Sequence, residues 1–533
     1  MRRTLAIALF LLLASLAGAA PARNVIVMVP DGCENSIATL ARWYTGRPLA
    51  LDPVLAGATG THSAASVITG SAAAVTAFST GHKTTIGFLG VGPETTATLE
   101  GDVPDSLVLR PLPTVLEAAM LEGKATGLVA TSTMSHATPA GYAAHVTDRD
   151  HHYDIMKQLA HADLDVVFGG GRRYLLSKAD GGRRSGPPDL RGELEKRGAK
   201  LVFTAGELEG LNSTPTWGLF ADKHMSPELD RARFAPDEPS LAEMTEKAIE
   251  LLDSDPDGFV LLVEGSQVDW AAHANDPVHM VTDFVAFDDA ARVALEFARE
   301  DGSTLVLAFP DHDCGGFSIG HERAAVGYKQ TSLDFLLDPL RKMKLTADGI
   351  VRLLGEERSP DSVRALVERE WSVTLTDAEI EEILKLEQSG YDFDYALSEV
   401  FCRERTAFGW TTHGHTGDEV PLWAYGPHAP SGFLDNTDIA RVCAEALDLD
   451  LAGAGQELFV DVETEFGPGS FSIDSTEKYC HVLEIGNARL VLDTDLLITG
   501  ADTSAMPGIS LWIRESGRAW VPRAAVPEIR RAR

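Results

Sequence analysis

The sequence predicts an α/β fold: a predominantly parallel central sheet flanked by helices, interrupted by a mainly helical insertion and followed by a small β-rich module. Three observations predict it. Short apolar runs alternate with helical patterns over the first three hundred residues. The stretch after Asp311-His312 then reads as successive helices for about a hundred residues. From about Leu451 the pattern changes to short strand-like segments.

Taken in order, Met1–Ala22 has the form of an export leader: Arg2-Arg3, an apolar run Leu5–Leu16, and small residues ending Ala20-Pro21-Ala22. Strands are expected at Val25–Pro30, Thr126–Ala130, Asp165–Phe168, Leu201–Phe203, Phe259–Val263 and Thr304–Phe309, because each is a short, β-branched or aromatic run. Helices are expected between them, at Thr114–Leu121, Leu241–Leu252 and Met280–Arg299, where apolar residues recur with helical period. Asn436–Leu447, entered through Asn-Thr-Asp, should be the last helix of residues 23–450. Within that domain, residues 326–408 form the insertion, with helical patterns at Leu333–Lys342, Ala347–Leu354, Pro360–Glu368, Thr376–Gln388 and Tyr391–Phe401. A lid, crown or dimer contact and a passive cap over the sheet are equally open roles for it. The module of residues 451–533 should contain strands at Glu457–Glu463, Lys478–Ile485, Ala488–Asp493 and Ile509–Arg514.

Composition narrows the function. A chain of 533 residues exceeds one ordinary core. Its formal charge of −33 opposes nucleic-acid and anionic-membrane binding. No apolar run beyond the leader is long enough to cross a bilayer, so an exported, periplasmic or extracellular protein without stable membrane insertion is expected. The five cysteines, Cys33, Cys314, Cys402, Cys443 and Cys480, show no C-x-x-C spacing and exclude a dense disulfide framework. Cys33 and Cys314 lie close in sequence to ligand-type residues, although burial as small apolar side chains is the default.

The chemistry concentrates at strand ends. Asp31 follows the first run, Glu264 the run Phe259–Val263, and Asp311-His312 the run Thr304–Pro310, where open α/β sheets place their ligands. Asp269 and His273, four residues apart, share one helix face. Thr411-Thr412-His413-Gly414-His415-Thr416-Gly417 adds imidazoles ahead of the apolar segment Pro421–Tyr425. Such a mixed nitrogen and oxygen set suits zinc and magnesium. Ser71 opens an apolar small-residue helix, where free N–H groups and the helix dipole favour an anion. A serine hydroxyl needs a base or a metal to become a nucleophile, so the combination points to phosphoryl transfer.

These ordered motifs resemble the alkaline phosphatase family through most of Asn24–Asp450: Asp31-Gly32, the Ser71 helix ending Ser79-Thr80-Gly81-His82-Lys83-Thr84, Ser135-His136-Ala137-Thr138-Pro139-Ala140, His145-Val146-Thr147-Asp148-Arg149, Glu264 to His273, Asp311-His312 and His415-Thr416-Gly417. The resemblance implies a phosphomonoesterase working through a phosphoserine on Ser71. It implies one zinc on Asp269, His273 and His415, and a second on Asp31, Asp311 and His312. A magnesium would lie between Asp31, Thr138 and Glu264, with Arg149 clasping the phosphoryl group and a homodimer as the family's assembly. Substrates would be small phosphate monoesters.

Three positions depart from the family pattern. Gly70 stands where an acid usually precedes the nucleophile and helps hold the arginine, so Arg149 is expected to be freer. His136 and Trp270, expected to stand beside the metal ligands without binding metal, occupy positions where the best-known enteric-bacterial enzymes carry Asp and Lys, and resemble the marine-bacterial and animal branches. Sulfatases require a C/S-x-P-x-R segment that Ser71–Val75 lacks, and diesterases of the superfamily typically use threonine without the arginine clasp. A non-catalytic secreted metal- or anion-binding protein is the remaining alternative. His413 is open between accessory ligand and supporting group, and Asp313 between a support for His312 and a loop acid. His151-His152 reads as a solvated pair, and His82, His145, His161, His224, His279 and His481 as surface or core residues.

Overall fold

The computed structural model describes residues 21–321, 327–356, 358–500 and 502–533. Most of the expected leader lies outside them, but Ala22 belongs to the fold: it is buried and donates its N–H to Ala446 O at 2.7 Å. A ten-stranded sheet runs, edge to edge, Gly432–Asp435, Leu55–Gly60, Val420–Tyr425, Thr304–Ala308, Asn24–Pro30, Phe259–Gly265, Ala125–Thr133, Val166–Gly170, Thr216–Ala221 and Lys200–Val202. Every pairing is parallel except those of Val420–Tyr425, which runs antiparallel to both neighbours.

The register explains where the site forms. Val29 lies beside Glu264, Ala130 also pairs with Glu264, and Met28 pairs with both Val263 and Ala308. The carboxyl ends of three central strands therefore coincide, and Asp31, Glu264 and Asp311 emerge together there. The central strand is apolar without alternation because both of its faces are covered. Ile26 and Met28 pack with Phe284, Phe287 and Met244 from helices Leu241–Leu252 and Pro277–Asp301. Val25, Val27 and Val29 pack with Phe78, Leu116 and Ile439 from helices Ser71–Thr80, Val115–Leu121 and Asn436–Leu447 on the other face.

The insertion forms helices Leu333–Lys342, Ala347–Leu354, Pro360–Trp371, Asp377–Gln388 and Phe393–Arg405. Ser332, Thr346, Ser359 and Thr376 cap the first four by accepting a backbone N–H three residues on. Leu337, Ile350, Trp371 and Phe401 join the apolar core of the first face.

The C-terminal region is β-rich but does not begin as expected. In place of a strand over Glu457–Glu463 there are a helix Leu451–Leu458, the two-residue strand Val460–Asp461 and a helix Val462–Phe466. Asp450 and Asp461 are the cause, each capping the helix that follows through Gly453 N–H at 2.9 Å and Thr464 N–H at 2.7 Å. Strands Ser472–Asp474, Val482–Ile485, Ala488–Val491, Leu496–Thr499 and Asp502–Ala505 then form an antiparallel sheet.

This region is fastened by buried charge. Asp495 accepts from His161 Nδ1 at 2.7 Å and from Arg197 Nη2 at 2.6 Å, and the fully buried Lys157 ammonium reaches Tyr479 O and Asp493 Oδ2, both at 3.0 Å. His161 therefore has an acidic partner, as does His145, whose Nε2 lies 2.8 Å from Glu117. Both keep the core roles expected of them. Burial raises the Asp495 carboxyl, but hydrogen bonds from His161 and Arg197 outweigh it and leave its pKa below the ordinary value. The stability it contributes is thus present above the ordinary carboxylate range and lost as pH falls through the lowered value. Asp495→Asn should destabilise the protein by roughly 2 kcal/mol, since it removes the carboxylate that accepts from the buried His161 and from Arg197. Calorimetry at neutral pH checks this, and an unchanged melting temperature would show that the contact is idle.

Candidate active site

Asp31 leaves the central strand through Gly32, whose φ of +64° brings the backbone against Asp269. A Cβ on Gly32 would stand 2.6 Å from Asp269 Oδ1, so only glycine fits this turn. Gly32 N–H and His312 N–H donate to Asp311 Oδ1 at 3.2 and 3.0 Å. His312 Nε2 lies 3.3 Å from Asp311 Oδ2, 3.7 Å from Asp31 Oδ1 and 3.4 Å from Ser71 Oγ. Ser71 is buried at the head of its helix, and no side chain caps that helix, because the preceding residue is Gly70. Its first N–H groups are left for an anion.

Helix Gln267–His273 presents Asp269 and His273 on one face, as their spacing predicts. His273 Nε2 lies 3.4 Å from Asp269 Oδ1 and 3.2 Å from His415 Nε2, and His415 Nε2 lies 3.7 Å from Asp269 Oδ1. Both imidazoles are tied from behind: His273 Nδ1 donates to His413 O at 2.5 Å, and His415 Nδ1 to Thr69 O at 2.8 Å. Carbonyls only accept, so each Nδ1 carries the proton and each Nε2 turns a lone pair inward. His413 is the supporting group, because its own Nδ1 donates to His273 O at 2.7 Å and its Nε2 lies 3.4 Å from Glu399. Asp313 likewise supports the site: it accepts from Thr416 Oγ1 at 2.5 Å, bracing the short ladder in which Cys314 pairs with His415.

Glu264 accepts from Ser132 Oγ at 3.1 Å through Oε2. One ring nitrogen of His136 comes within 4.8 Å of ligand oxygens of Asp31 and Glu264. His136 Nε2 also accepts from Arg149 Nη2 at 2.9 Å, so the neutral ring carries its proton on Nδ1, which has no hydrogen-bond partner among the described residues. Burial, and then Arg149, lower the His136 pKa well below the ordinary value and keep the ring neutral. This corrects the expectation drawn from Gly70: Arg149 has a partner, and a Cβ at position 70 would face His415 Cε1 at 3.7 Å. Thr138 is buried on the short helix Ala137–Ala140, with a hydroxyl that has no hydrogen-bond partner among the described residues.

Trp270 stands beside His136 and packs on His224 at a ring-centroid distance of 4.3 Å. His224 is the residue that sequence reasoning passed over. It accepts from Thr133 N–H at 3.2 Å, and burial, followed by Lys223, brings its pKa down to about 3. Trp270, His224 and Lys223 form one wall of a cavity of about 820 Å³ that reaches Asp348, Arg352 and Asp394 of the insertion. His152 is also misread by the sequence: half-buried, it contacts Ser135 O at 3.1 Å and stacks on Tyr174.

The group fits divalent cations. Both carboxylate oxygens of Asp31, Glu264 Oε1, Asp269 Oδ1 and Asp311 Oδ2 are buried with no hydrogen-bond donor among the described residues. Burial, and then Asp311, Asp269 and Glu264, push Asp31 well above the usual carboxylate range, and burial brings Glu264 up to about 7. A buried set of like charges and inward lone pairs is stable around a cation, which reverses these shifts. Among the described residues, Asp31, Asp311 and His312 form one group whose ligand atoms lie within 4.8 Å of one another, as do Asp269, His273, His415 and Cys314, and Asp31, His136 and Glu264.

Comparison with known proteins agrees with this architecture. The family profile described as "Alkaline phosphatase" matches residues 22–449. Alkaline phosphatase 3 of Bacillus subtilis is 34% identical over 449 residues, covering 80% of this chain and 90% of that protein. The alkaline phosphatase of Escherichia coli is 30% identical over 487 residues, covering 80% and 87%. The crystal structure of Thermus thermophilus alkaline phosphatase superposes with a TM-score of 0.71 at 30% identity, covering 81% of this chain and 92% of that one. The chain belongs to the alkaline phosphatase family, metal-dependent hydrolases of phosphoric monoesters.

Proposed function

We propose that this chain is an exported alkaline phosphatase that hydrolyses small phosphate monoesters through a phosphoserine on Ser71. The observation that carries the reading is the place of Ser71 Oγ, at an uncapped helix N-terminus and 3.4 Å from His312 Nε2, amid carboxylates that lack donors. Asp269, His273 and His415 would hold one zinc, Asp31, Asp311 and His312 a second, and Asp31, Thr138 and Glu264 a magnesium. When bound, these cations would supply the positive charge that favours the serine alkoxide, the departing alkoxide and the attacking water.

The chain's own residues would do the rest. Ser71 Oγ gives up its proton to solvent and attacks phosphorus; the new Oγ–P bond forms as the ester P–O bond breaks, and the alcohol leaves with a proton from solvent. Helix N–H groups and the Arg149 guanidinium bind the phosphoryl oxygens. His136 holds one Arg149 nitrogen and leaves the rest of the fork to the ligand. Water then attacks the phosphoserine, releasing phosphate and restoring Ser71. Export is supported by the leader-like segment Met1–Ala22.

Acid quenching with phosphorus-labelled substrate should trap label on Ser71, with overall retention of configuration at phosphorus. Label elsewhere, or inversion, would refute the serine assignment. His136→Ala removes the partner that orients Arg149. It should weaken competitive inhibition by inorganic phosphate roughly tenfold, and an unchanged inhibition constant would mean that His136 does not position the arginine.

A further inference from the structure

We propose that Cys314 is a fourth protein ligand, through Sγ, of the cation held by Asp269, His273 and His415. The inference rests on the metal reading above and adds a donor to it.

The local geometry brings the thiol there. Asp313–Cys314 pairs antiparallel with His415–Thr416, with Cys314 directly opposite His415. Residues opposed in this way project to the same face, so Sγ and the imidazole become neighbours. The ladder is held at both ends, by Thr416 Oγ1 on Asp313 Oδ2 and by Gly315 N–H donating to Gly414 O at 2.8 Å. Sγ, Asp269 Oδ1 and ring nitrogens of His273 and His415 offer ligand atoms that all lie within 4.8 Å of one another.

A second observation, independent of the cysteine, points to a ligand at the same spot. Asp269 is 5% exposed, and its Oδ1 has no hydrogen-bond partner among the described residues. The two imidazoles there donate from Nδ1 to carbonyls, so each ring in its neutral form offers Nε2 to the cluster as an acceptor. Cys314 is fully buried and forms no disulfide. As a small apolar residue it would need no particular neighbours, yet it lies against three metal-type donors. Cys33 lies as close in sequence to a ligand-type residue but belongs to no such group, and its thiol is 3.5 Å from Glu34 O.

One sulfur, two imidazole nitrogens and one carboxylate oxygen would form a zinc-class set, softer than a set of nitrogen and oxygen alone. The S–metal bond forms as the thiol proton leaves to solvent. Zinc is able to expand to five donors, so four protein ligands would leave it able to take up substrate.

The full chain would be stripped by chelation, reloaded with cobalt(II), and its cobalt content measured beside its near-ultraviolet spectrum. A thiolate-to-cobalt charge-transfer band in the wild type, kept in Cys33→Ser and lost in Cys314→Ser, is the expected result. X-ray absorption of the zinc-loaded wild type should show a sulfur neighbour at about 2.3 Å, and this needs no variant to fold. Bound metal with neither band nor sulfur shell overturns the thiol ligand while leaving the metal site standing, as does a band that survives in Cys314→Ser. A folded chain that binds no metal overturns both readings.

Discussion

Four carboxylates, Asp31, Glu264, Asp269 and Asp311, are buried within one small volume, and most of the architecture follows from holding them there. Like charges in a low-dielectric interior repel strongly unless cations or donors compensate them. The protein supplies few donors: Gly32 and His312 N–H reach one oxygen of Asp311, and Ser132 reaches one of Glu264. The remaining oxygens face one another and the inward nitrogens of His273, His312 and His415. The parallel sheet delivers the acids by ending three neighbouring strands at the same level, and the helix Gln267–His273 adds two ligands from one face.

Support for this center comes from unexpectedly far along the chain. His413 and His273 exchange ring-to-carbonyl hydrogen bonds, and His413 in turn contacts Glu399 on the last helix of the insertion. The insertion is therefore more than a cover for the sheet, because it helps fix the imidazole that faces Asp269. Arg149 is held by His136, so the arginine and the carboxylate group share one neutral imidazole. The C-terminal region fastens to the helix bearing Lys157 and to Asp495's partners His161 and Arg197, away from the carboxylates.

Much of this was legible in the sequence because it is written locally. An apolar run that stops at Asp31, Glu264 or Asp311 marks both the strand and its functional end, and the four-residue step from Asp269 to His273 marks a helix face. What was not legible depends on tertiary partners. Spacing cannot separate His413 from His415; the difference is which ring meets His273 O and which meets Thr69 O. His224 looks solitary because Trp270 and His136 approach it from other segments. Arg149 was expected to be loose on the evidence of Gly70, but its partner comes from His136, thirteen residues earlier in the chain. In the tail, the alternating pattern over residues 457–463 imitates a strand, and the Asp450 and Asp461 caps decide otherwise.

The central claim is that the buried acids are stable because divalent cations hold them. The direct measurement is thermal unfolding of the full chain after chelation and again after titration with zinc and magnesium. Removal should lower the melting temperature and return of metal should restore it, since a ligand at a thousand times its dissociation constant stabilises the native state by about 4 kcal/mol. A melting temperature that is the same with and without metal would contradict the account, because the acids would then be stable without cations.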